Sequence, residues 1–109
     1  MKTENRKKPP VHPGQVLSEG YLKENGITIS EMAEALNISR NEMGSIVNGK
    51  KPVTNEIAIK LAKVVGNTPD VWIRLQSKYD FWYHQDNMPK KLKDHLDRFA
   101  KSFAKKAAL

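Results

Sequence analysis

The 109-residue chain contains no cysteine, which excludes a disulfide framework, a thiol nucleophile and thiolate ligands for a metal. No apolar run approaches the roughly 20 residues that a membrane span requires, and the polar N-terminus lacks the apolar stretch of a signal peptide. The length suits one domain with short extensions, since domains usually hold roughly 100–200 residues. These absences predict a one-domain cytoplasmic protein with no membrane partner.

The usual parts of an enzyme active site are missing as well. There is no glycine-rich phosphate loop, and the histidines, His12, His84 and His95, form neither a catalytic triad nor a metal-ligand spacing. Asp80 and His84 lie one helical turn apart, but two ligands without a third favour a surface pair over a metal site. We predict that the protein is not an enzyme and needs no metal or other cofactor.

Positive charge is in excess, with a formal net charge of +7, and it lies at the two ends of the chain. Residues 1–11 hold four basic side chains against one acidic, and residues 89–109 hold seven against two, which leaves a net charge of −1 between them. Nucleic-acid contact by the middle of the chain must therefore depend on where individual charges lie. Residues 1–11 show no apolar period and predict a flexible basic arm.

Apolar residues recur at helical spacing from Pro13 onward, without an alternating strand pattern, so the chain is predicted to be all-α. Capping residues or an N-terminal proline mark five helix starts, at Pro13, Thr28, Ser39, Thr54 and Thr68-Pro69. Thr28 and Ser39 each precede a glutamate by three residues, the spacing of a capping box. A sixth helix follows Pro89. Its apolar stripe consists of Leu92, Leu96, Phe99 and Phe103.

The two short helices between Thr28 and Asn48 are joined by a tight turn, as a helix-turn-helix requires. The apolar face of the second helix consists of Met43, Ile46 and Val47. The opposite face carries Arg40, Asn41 and Ser45. These residue types suit the edges of bases, while the helix N-terminus and the lysines at 50 and 51 suit backbone phosphates. A helical hairpin with a merely solvated polar face fits the same local pattern.

Several short blocks follow one another across residues 12–83 in a characteristic order. They are His12-Pro13-Gly14, Met32-Ala33-Glu34-Ala35-Leu36, Ser39-Arg40, Asn48-Gly49-Lys50-Lys51-Pro52-Val53-Thr54, Leu61-Ala62, Pro69-Asp70-Val71-Trp72 and Leu75-Gln76-Ser77-Lys78-Tyr79-Asp80. In type, order and spacing these blocks resemble the HigA/VapI-type antitoxins, which belong to the helix-turn-helix family of the Cro and lambda repressors. The resemblance implies a five-helix, lambda-repressor-like DNA-binding domain that forms a homodimer on an operator.

The resemblance also implies what the protein does: it binds double-stranded operator DNA, neutralises a HigB-type ribonuclease toxin, and represses its own promoter. Residues matching the base-facing positions of the family are Ser39, Arg40, Asn41 and Ser45. Asn48 and Lys50 match the phosphate-contacting turn, and Thr28 and Lys51 complete the predicted DNA-binding set. A stand-alone repressor without a toxin is the alternative. The two functions differ in whether a neighbouring gene encodes a toxin, and this sequence does not decide between them.

Two departures from the family pattern stand out. Ile29 occupies the first helical position, where many phage-type repressors place a glutamine that holds a phosphate and the recognition helix. The extension from about residue 88 to residue 109 is not matched by the blocks that carry the resemblance, so its role must be argued from its physical chemistry. The predicted organisation is therefore a basic arm over residues 1–11, a helix-turn-helix domain over residues 12–86 and an amphipathic basic helix over residues 87–109.

Aromatic residues are concentrated on the predicted fifth helix. They are Trp72, Tyr79, Phe81, Trp82 and Tyr83. Trp72 is expected in the core, but one face of a small domain cannot bury all five, and aromatic residues favour interfaces. We predict that Tyr79, Trp82 and Tyr83 contribute to a dimer or toxin interface.

The basic helix after residue 87 admits three interpretations. Folding back on its own dimer is favoured over docking in a groove of the toxin. Contact with DNA, RNA or an anionic membrane is the third.

Overall fold

The computed structural model describes residues 9–107, and within this range the regular structure is helical, without strands. The prediction of an all-α fold is therefore confirmed. Most of the predicted basic arm, residues 1–8, lies outside the described range. None of the helices in the described residues is both long and apolar enough to cross a membrane.

Helix α1 consists of three consecutive segments: α-helix over Pro13–Leu17, π-helix over Ser18–Leu22 and α-helix over Lys23–Asn25. The sequence predicted a regular helix here, and the π-helical segment is a difference. In an α-helix, Leu17 and Leu22 would project about 140° apart. In the π-helical segment the N–H of residue i+5 donates to the carbonyl of residue i, as from Lys23 to Ser18, and the wider turn brings the two leucines toward one side. Both leucines are buried in the core.

Helices α2 (Ile29–Leu36) and α3 (Arg40–Val47) form the predicted helix-turn-helix. The capping box of α2 is complete, because the Thr28 hydroxyl accepts from the Glu31 N–H and the Glu31 carboxylate accepts from the Thr28 N–H. Only half of the second box forms, with Ser39 Oγ accepting from the Glu42 N–H at 3.0 Å. Asn37 ends α2 in the left-handed conformation, at φ 58°.

Helices α4 (Asn55–Val65) and α5 (Pro69–Asp86) pack against each other and complete the domain. Thr54 caps α4 as predicted. Thr68 differs from the prediction, because its hydroxyl donates to the Asp70 carboxylate instead of accepting from the backbone. This hydrogen bond is the main reason why the pKa of Asp70 lies below its ordinary value.

One hydrophobic core joins α1 to α5. Its buried members are Leu17, Leu22, Met32, Ala33, Leu36, Met43, Ile46, Val53, Ile57, Ala58, Leu61, Ala62 and Trp72. Trp72 is fully buried, as the sequence predicted, and its indole N–H donates to Asn67 Oδ1 at 3.0 Å. The core contains three residues of α2 and two of α3, so the helix-turn-helix pair is held by the rest of the domain.

Helix α6 (Lys90–Ala107) is different, because every one of its residues is exposed. With about 1.5 Å of rise per residue it is about 27 Å long. The described chain extends 57 Å along its longest axis. The predicted C-terminal amphipathic extension is thus present as a helix that is not buried against α1–α5.

Candidate nucleic-acid interface

Helix α3 is attached to the domain by its apolar face. Met43 and Ile46 are fully buried, and Ala33 on the adjacent helix α2 is buried as well. On the other side of α3, Arg40 and Asn41 are exposed and Ser45 is half-buried. We call Arg40, Asn41 and Ser45 the polar strip of α3. The predicted orientation of the helix is confirmed, since the strip lies opposite the buried face and its first two residues are open to solvent.

Arg40, the first residue of α3, is tied to the start of α2. Its Nε–H donates to the hydroxyl of Ser30 at 2.9 Å. Ser30 follows Ile29, whose side chain is partly buried against the core. The N-termini of α2 and α3 therefore adjoin on one surface, and each presents N–H groups that lack a helical acceptor.

The hydroxyls at these two N-termini also lie on the surface. Thr28 and Ser39 are exposed, and each hydroxyl oxygen accepts a capping hydrogen bond of 3.0 Å. A hydroxyl that accepts one bond still has its own hydrogen to donate, so each can donate to an acceptor on DNA, whether a phosphate oxygen or a base edge. The cap is therefore compatible with a DNA contact at both residues.

The turn after α3 positions the predicted phosphate contacts. Gly49 adopts the left-handed conformation, at φ 76°, and the Lys50 N–H donates to the Ser45 carbonyl at 2.8 Å. This is the hydrogen-bond pattern of a Schellman helix end. Asn48, Lys50 and Lys51 are all exposed around it. The backbone thus presents two lysines beside the C-terminal end of the polar strip.

Gln76 fastens the segment that follows this turn, a role that the sequence did not reveal. Its side chain is buried, and Oε1 accepts from the Val53 N–H at 2.7 Å. Its Nε2 donates to Asp80 Oδ1 at 3.0 Å. Since Gln76 lies on α5, the loop that carries the lysines is anchored to that helix.

His12 and Gly14, at the start of α1, contact α5 and the end of α3. His12 caps α1, because Nδ1 accepts from the Gly14 N–H at 2.9 Å, and its ring lies edge-on to Tyr79 with centroids 4.8 Å apart. Gly14 is pressed against the end of α3: a Cβ there would lie 1.9 Å from the Ile46 carbonyl oxygen. Burial lowers the pKa of His12 and the Asp80 carboxylate opposes this effect. A neutral ring is what the cap requires.

Sequence reasoning missed Ser30, Gln76, His12 and Gly14 as contributors to the site. His12 had one local signal, since it precedes a proline at the first helical position, where a capping residue belongs. Ser30 and Gln76 act on partners 10 and 23 residues away, and no local pattern marks such contacts.

The three aromatic residues predicted at an interface are in mutual contact. Tyr79 lies 5.8 Å from Trp82 and 6.5 Å from Tyr83, measured between ring centroids. Tyr79 and Trp82 are half-buried and Tyr83 is exposed. The Trp82 indole N–H is buried without a hydrogen-bond partner in the described part of the chain. Together they form a partly open cluster, which we call the aromatic cluster.

Asp80 and His84, the pair considered as the start of a metal site, have no third metal-ligating side chain beside them in the described residues. Among residues 9–107, no set of three or more His, Asp or Glu side chains is placed to hold a metal ion. Asp80 instead accepts a hydrogen bond from Gln76.

A helix-turn-helix family model matches residues 21–72 of the chain. The chain is 39% identical over 88 residues to the HTH-type transcriptional regulator YbaQ of Escherichia coli K12, which covers 81% of this chain and 76% of YbaQ. It is 40% identical to the antitoxin HigA-1 of Vibrio cholerae over 76 aligned residues. The aligned region covers 70% of this chain and 71% of HigA-1.

A solved structure with the same architecture is that of the antitoxin HigA of Pseudomonas aeruginosa with the higBA promoter. It superposes with a TM-score of 0.70 at 29% identity, over 79% of this chain and 92% of that one. The similarity in sequence and fold extends through the whole helix-turn-helix region. The chain therefore belongs to the Cro- and lambda-repressor-like helix-turn-helix family, among the HigA/VapI-type antitoxins.

Proposed function

We propose that the protein is a sequence-specific DNA-binding autorepressor and the antitoxin of a HigBA-type toxin–antitoxin module. The observation that carries this proposal is the polar strip of α3, which is exposed beside the adjoining N-termini of α2 and α3. A surface of this kind fits a major groove, which is wide enough to admit a helix. The structure of the P. aeruginosa HigA with the higBA promoter supports the same use of the fold.

The proposed complex is a homodimer on a pseudo-palindromic operator. Two recognition helices about 34 Å apart enter successive major grooves, as in other helix-turn-helix dimers. Base edges are read by Ser39, Arg40, Asn41 and Ser45. Phosphates are held by Thr28, Asn48, Lys50 and Lys51. The formal charge of +7 steers the protein toward DNA without supplying sequence preference.

Replacing one residue that reads bases and one that contacts phosphates separates these two roles. Arg40→Ala is expected to lose about 1–3 kcal/mol on the DNA upstream of the protein's own coding sequence and much less on scrambled DNA. Lys50→Ala is expected to weaken both DNAs equally and to lower the salt slope of log K by about one. Fluorescence anisotropy from 50 to 200 mM salt measures both effects.

Lys63→Ala is the matched control, because Lys63 is an exposed lysine on α4 outside the proposed interface. It is expected to reproduce wild-type specificity and to change affinity less than Lys50→Ala. Equal losses on both DNAs for Arg40→Ala would contradict its role as a base reader.

We further propose that the aromatic cluster contacts the second copy or the toxin. A partly open group of tyrosine and tryptophan is typical of the anchors that carry interface energy.

Co-expression with the product of the adjacent reading frame tests the toxin proposal directly. Tyr83→Ala is expected to weaken toxin capture or dimerisation by about fivefold or more, as measured by affinity capture and by sedimentation equilibrium. Ile59→Ala, an exposed apolar residue on α4, is the matched control. A toxin that is captured equally well by both variants, with unchanged dimerisation, would contradict the role of the cluster.

A stand-alone repressor is the second candidate. It shares the DNA surface but lacks a toxin, so operator binding would persist while no neighbouring gene product co-purifies.

A further inference from the structure

The hydrogen bond between Arg40 and Ser30 joins the two helices of the helix-turn-helix at their exposed ends. It links residues ten positions apart, and its Nε to Oγ distance is 2.9 Å. Both side chains are exposed, so the bond contributes little to the buried core. Its position, at the N-terminal end of the polar strip, suggests a role in what that strip binds.

The charge of Arg40 remains available. The ion pairs among residues 9–107 join Lys23 to Glu19, Lys60 to Glu56, Arg74 to Asp70 and Lys90 to Asp94. None of these pairs includes Arg40. Within residues 9–107 its guanidinium is therefore oriented by a neutral hydroxyl and forms no ion pair with a carboxylate, so its charge is available to DNA.

The bond also selects which guanidinium hydrogens are free. An arginine has five N–H donors in one plane, and Nε–H is already used by Ser30. The donors of the two terminal amino groups remain, and they lie at the outer end of the same plane. Two parallel donors of this kind match the O6 and N7 acceptors of a guanine.

We infer that Ser30 is a positioning residue that presents the terminal amino groups of Arg40 end-on to a guanine in the operator. The inference rests on the proposed function, in which α3 reads bases. Ser30 acts through Arg40, because it restricts the rotation of a long side chain before DNA arrives and so reduces the ordering cost of binding. Its main effect is on discrimination between DNA sequences, and its effect on general affinity is small.

The local sequence explains why this task falls to Ser30. The preceding residue, Ile29, is directed toward the core and has no polar atom with which to hold the recognition helix. Ser30 lies inside the first turn of α2, and the Thr28–Glu31 capping box fixes the backbone around it. Its hydroxyl is therefore held in place by a helix end that does not depend on Ser30 itself.

A double-mutant cycle tests the inference. Wild type, Ser30→Ala, Arg40→Ala and the double variant are titrated with operator DNA and with scrambled DNA. Ser30→Ala is expected to weaken operator binding by about threefold to tenfold and scrambled binding by less than about twofold. In the Arg40→Ala background the same change is expected to have almost no effect, since the residue it positions is gone.

Two further variants separate positioning from general structure. Ser30→Thr keeps a hydroxyl at the same place and is expected to restore most of the discrimination. Ser77→Ala removes an exposed serine hydroxyl on α5 and is expected to leave both DNAs unaffected. Thermal unfolding followed by circular dichroism verifies that each variant is folded.

The outcomes are distinguishable. Equal losses for Ser30→Ala in both Arg40 backgrounds, or on both DNAs, would overturn the inference and show that Ser30 contacts DNA by itself. No loss at all would overturn it too. If Arg40→Ala itself retains full operator preference, base reading by this residue fails and the inference fails with it. If Arg40→Ala loses preference and Ser30→Ala keeps it, only the inference fails.

Discussion

Helices α4 and α6 carry equally regular apolar stripes, but only one of the stripes is buried. On α4, which packs against α2 and α5, Ala58 and Leu61 are fully buried. On α6, the four stripe residues, Leu92, Leu96, Phe99 and Phe103, are 44–64% exposed. Apolar periodicity thus predicts a helix and its apolar face, but burial requires another surface of matching shape.

The ring contacts along the stripe of α6 lie within the helix itself. The rings of His95 and Phe99 lie 5.0 Å apart, and those of Phe99 and Phe103 lie 6.4 Å apart. These contacts run along one helix and leave the outer side of each ring open. The prediction that α6 folds back on a dimer is not tested by a single chain and stays a prediction.

The largest expected loss of stability is that of a side-chain truncation on α4, and the matching truncation on α6 is its comparison. Leu61→Ala is expected to lower the free energy of unfolding by about 2–5 kcal/mol, because it leaves a cavity in a closely packed core. Phe103→Ala is expected to change it by less than about 0.5 kcal/mol. Urea denaturation at low protein concentration measures both. A loss above about 1 kcal/mol for Phe103→Ala would show that α6 is packed in solution.

A second expected effect concerns the contact between α1 and the end of α3. Gly14→Ala is expected to lower the free energy of unfolding by about 1–3 kcal/mol. The new methyl group would overlap the Ile46 carbonyl, so α1 and α3 would have to move apart. Gly44→Ala is the matched control, since a Cβ there meets no atom within 4 Å and alanine favours the helix. Thermal unfolding of both variants is the measurement, and equal stability would contradict the close contact.

A smaller loss of folding stability is expected as the pH is lowered. Burial lowers the pKa of folded His12 below its ordinary value of about 6.5, so the unfolded chain binds its proton first as the pH falls. The stability contributed by the neutral ring is complete above about pH 6.5. It is lost progressively as the pH falls toward the lower pKa of the folded state.

Urea midpoints at pH 8 and pH 5.5 measure this loss. His12→Asn keeps a capping side chain that does not titrate, and it is expected to show a smaller decrease than wild type. An identical decrease in both proteins would mean that other groups determine the pH dependence.

The smallest effect is expected from removing α6. We propose that residues 12–86 fold as an independent unit, so truncation after Asn87 should change the free energy of unfolding by less than about 0.5 kcal/mol. Measurement at two protein concentrations separates a monomer from a dimer. A larger loss that grows with concentration would instead place α6 at the interface between copies.

Most helix boundaries could be predicted because their signals are local. The capping threonines, the left-handed Asn37 and the glycine stops each act within one turn of the chain. The outward direction of Arg40 and Asn41 could be predicted as well, since it follows from the 3.6-residue period once Met43 and Ile46 are placed inside. The π-helical segment could not, because it depends on how Leu17 and Leu22 meet the core.

The amino-acid order alone therefore determined the helices, their apolar faces and the side chains offered to solvent on α3. Tertiary structure alone decided that Ser30 meets Arg40, that Gln76 holds the Val53 backbone and that the α6 stripe stays uncovered. The physical reason is range: caps and periodicity act over a few residues, whereas hydrogen bonds and burial between distant segments exist only after the chain has packed.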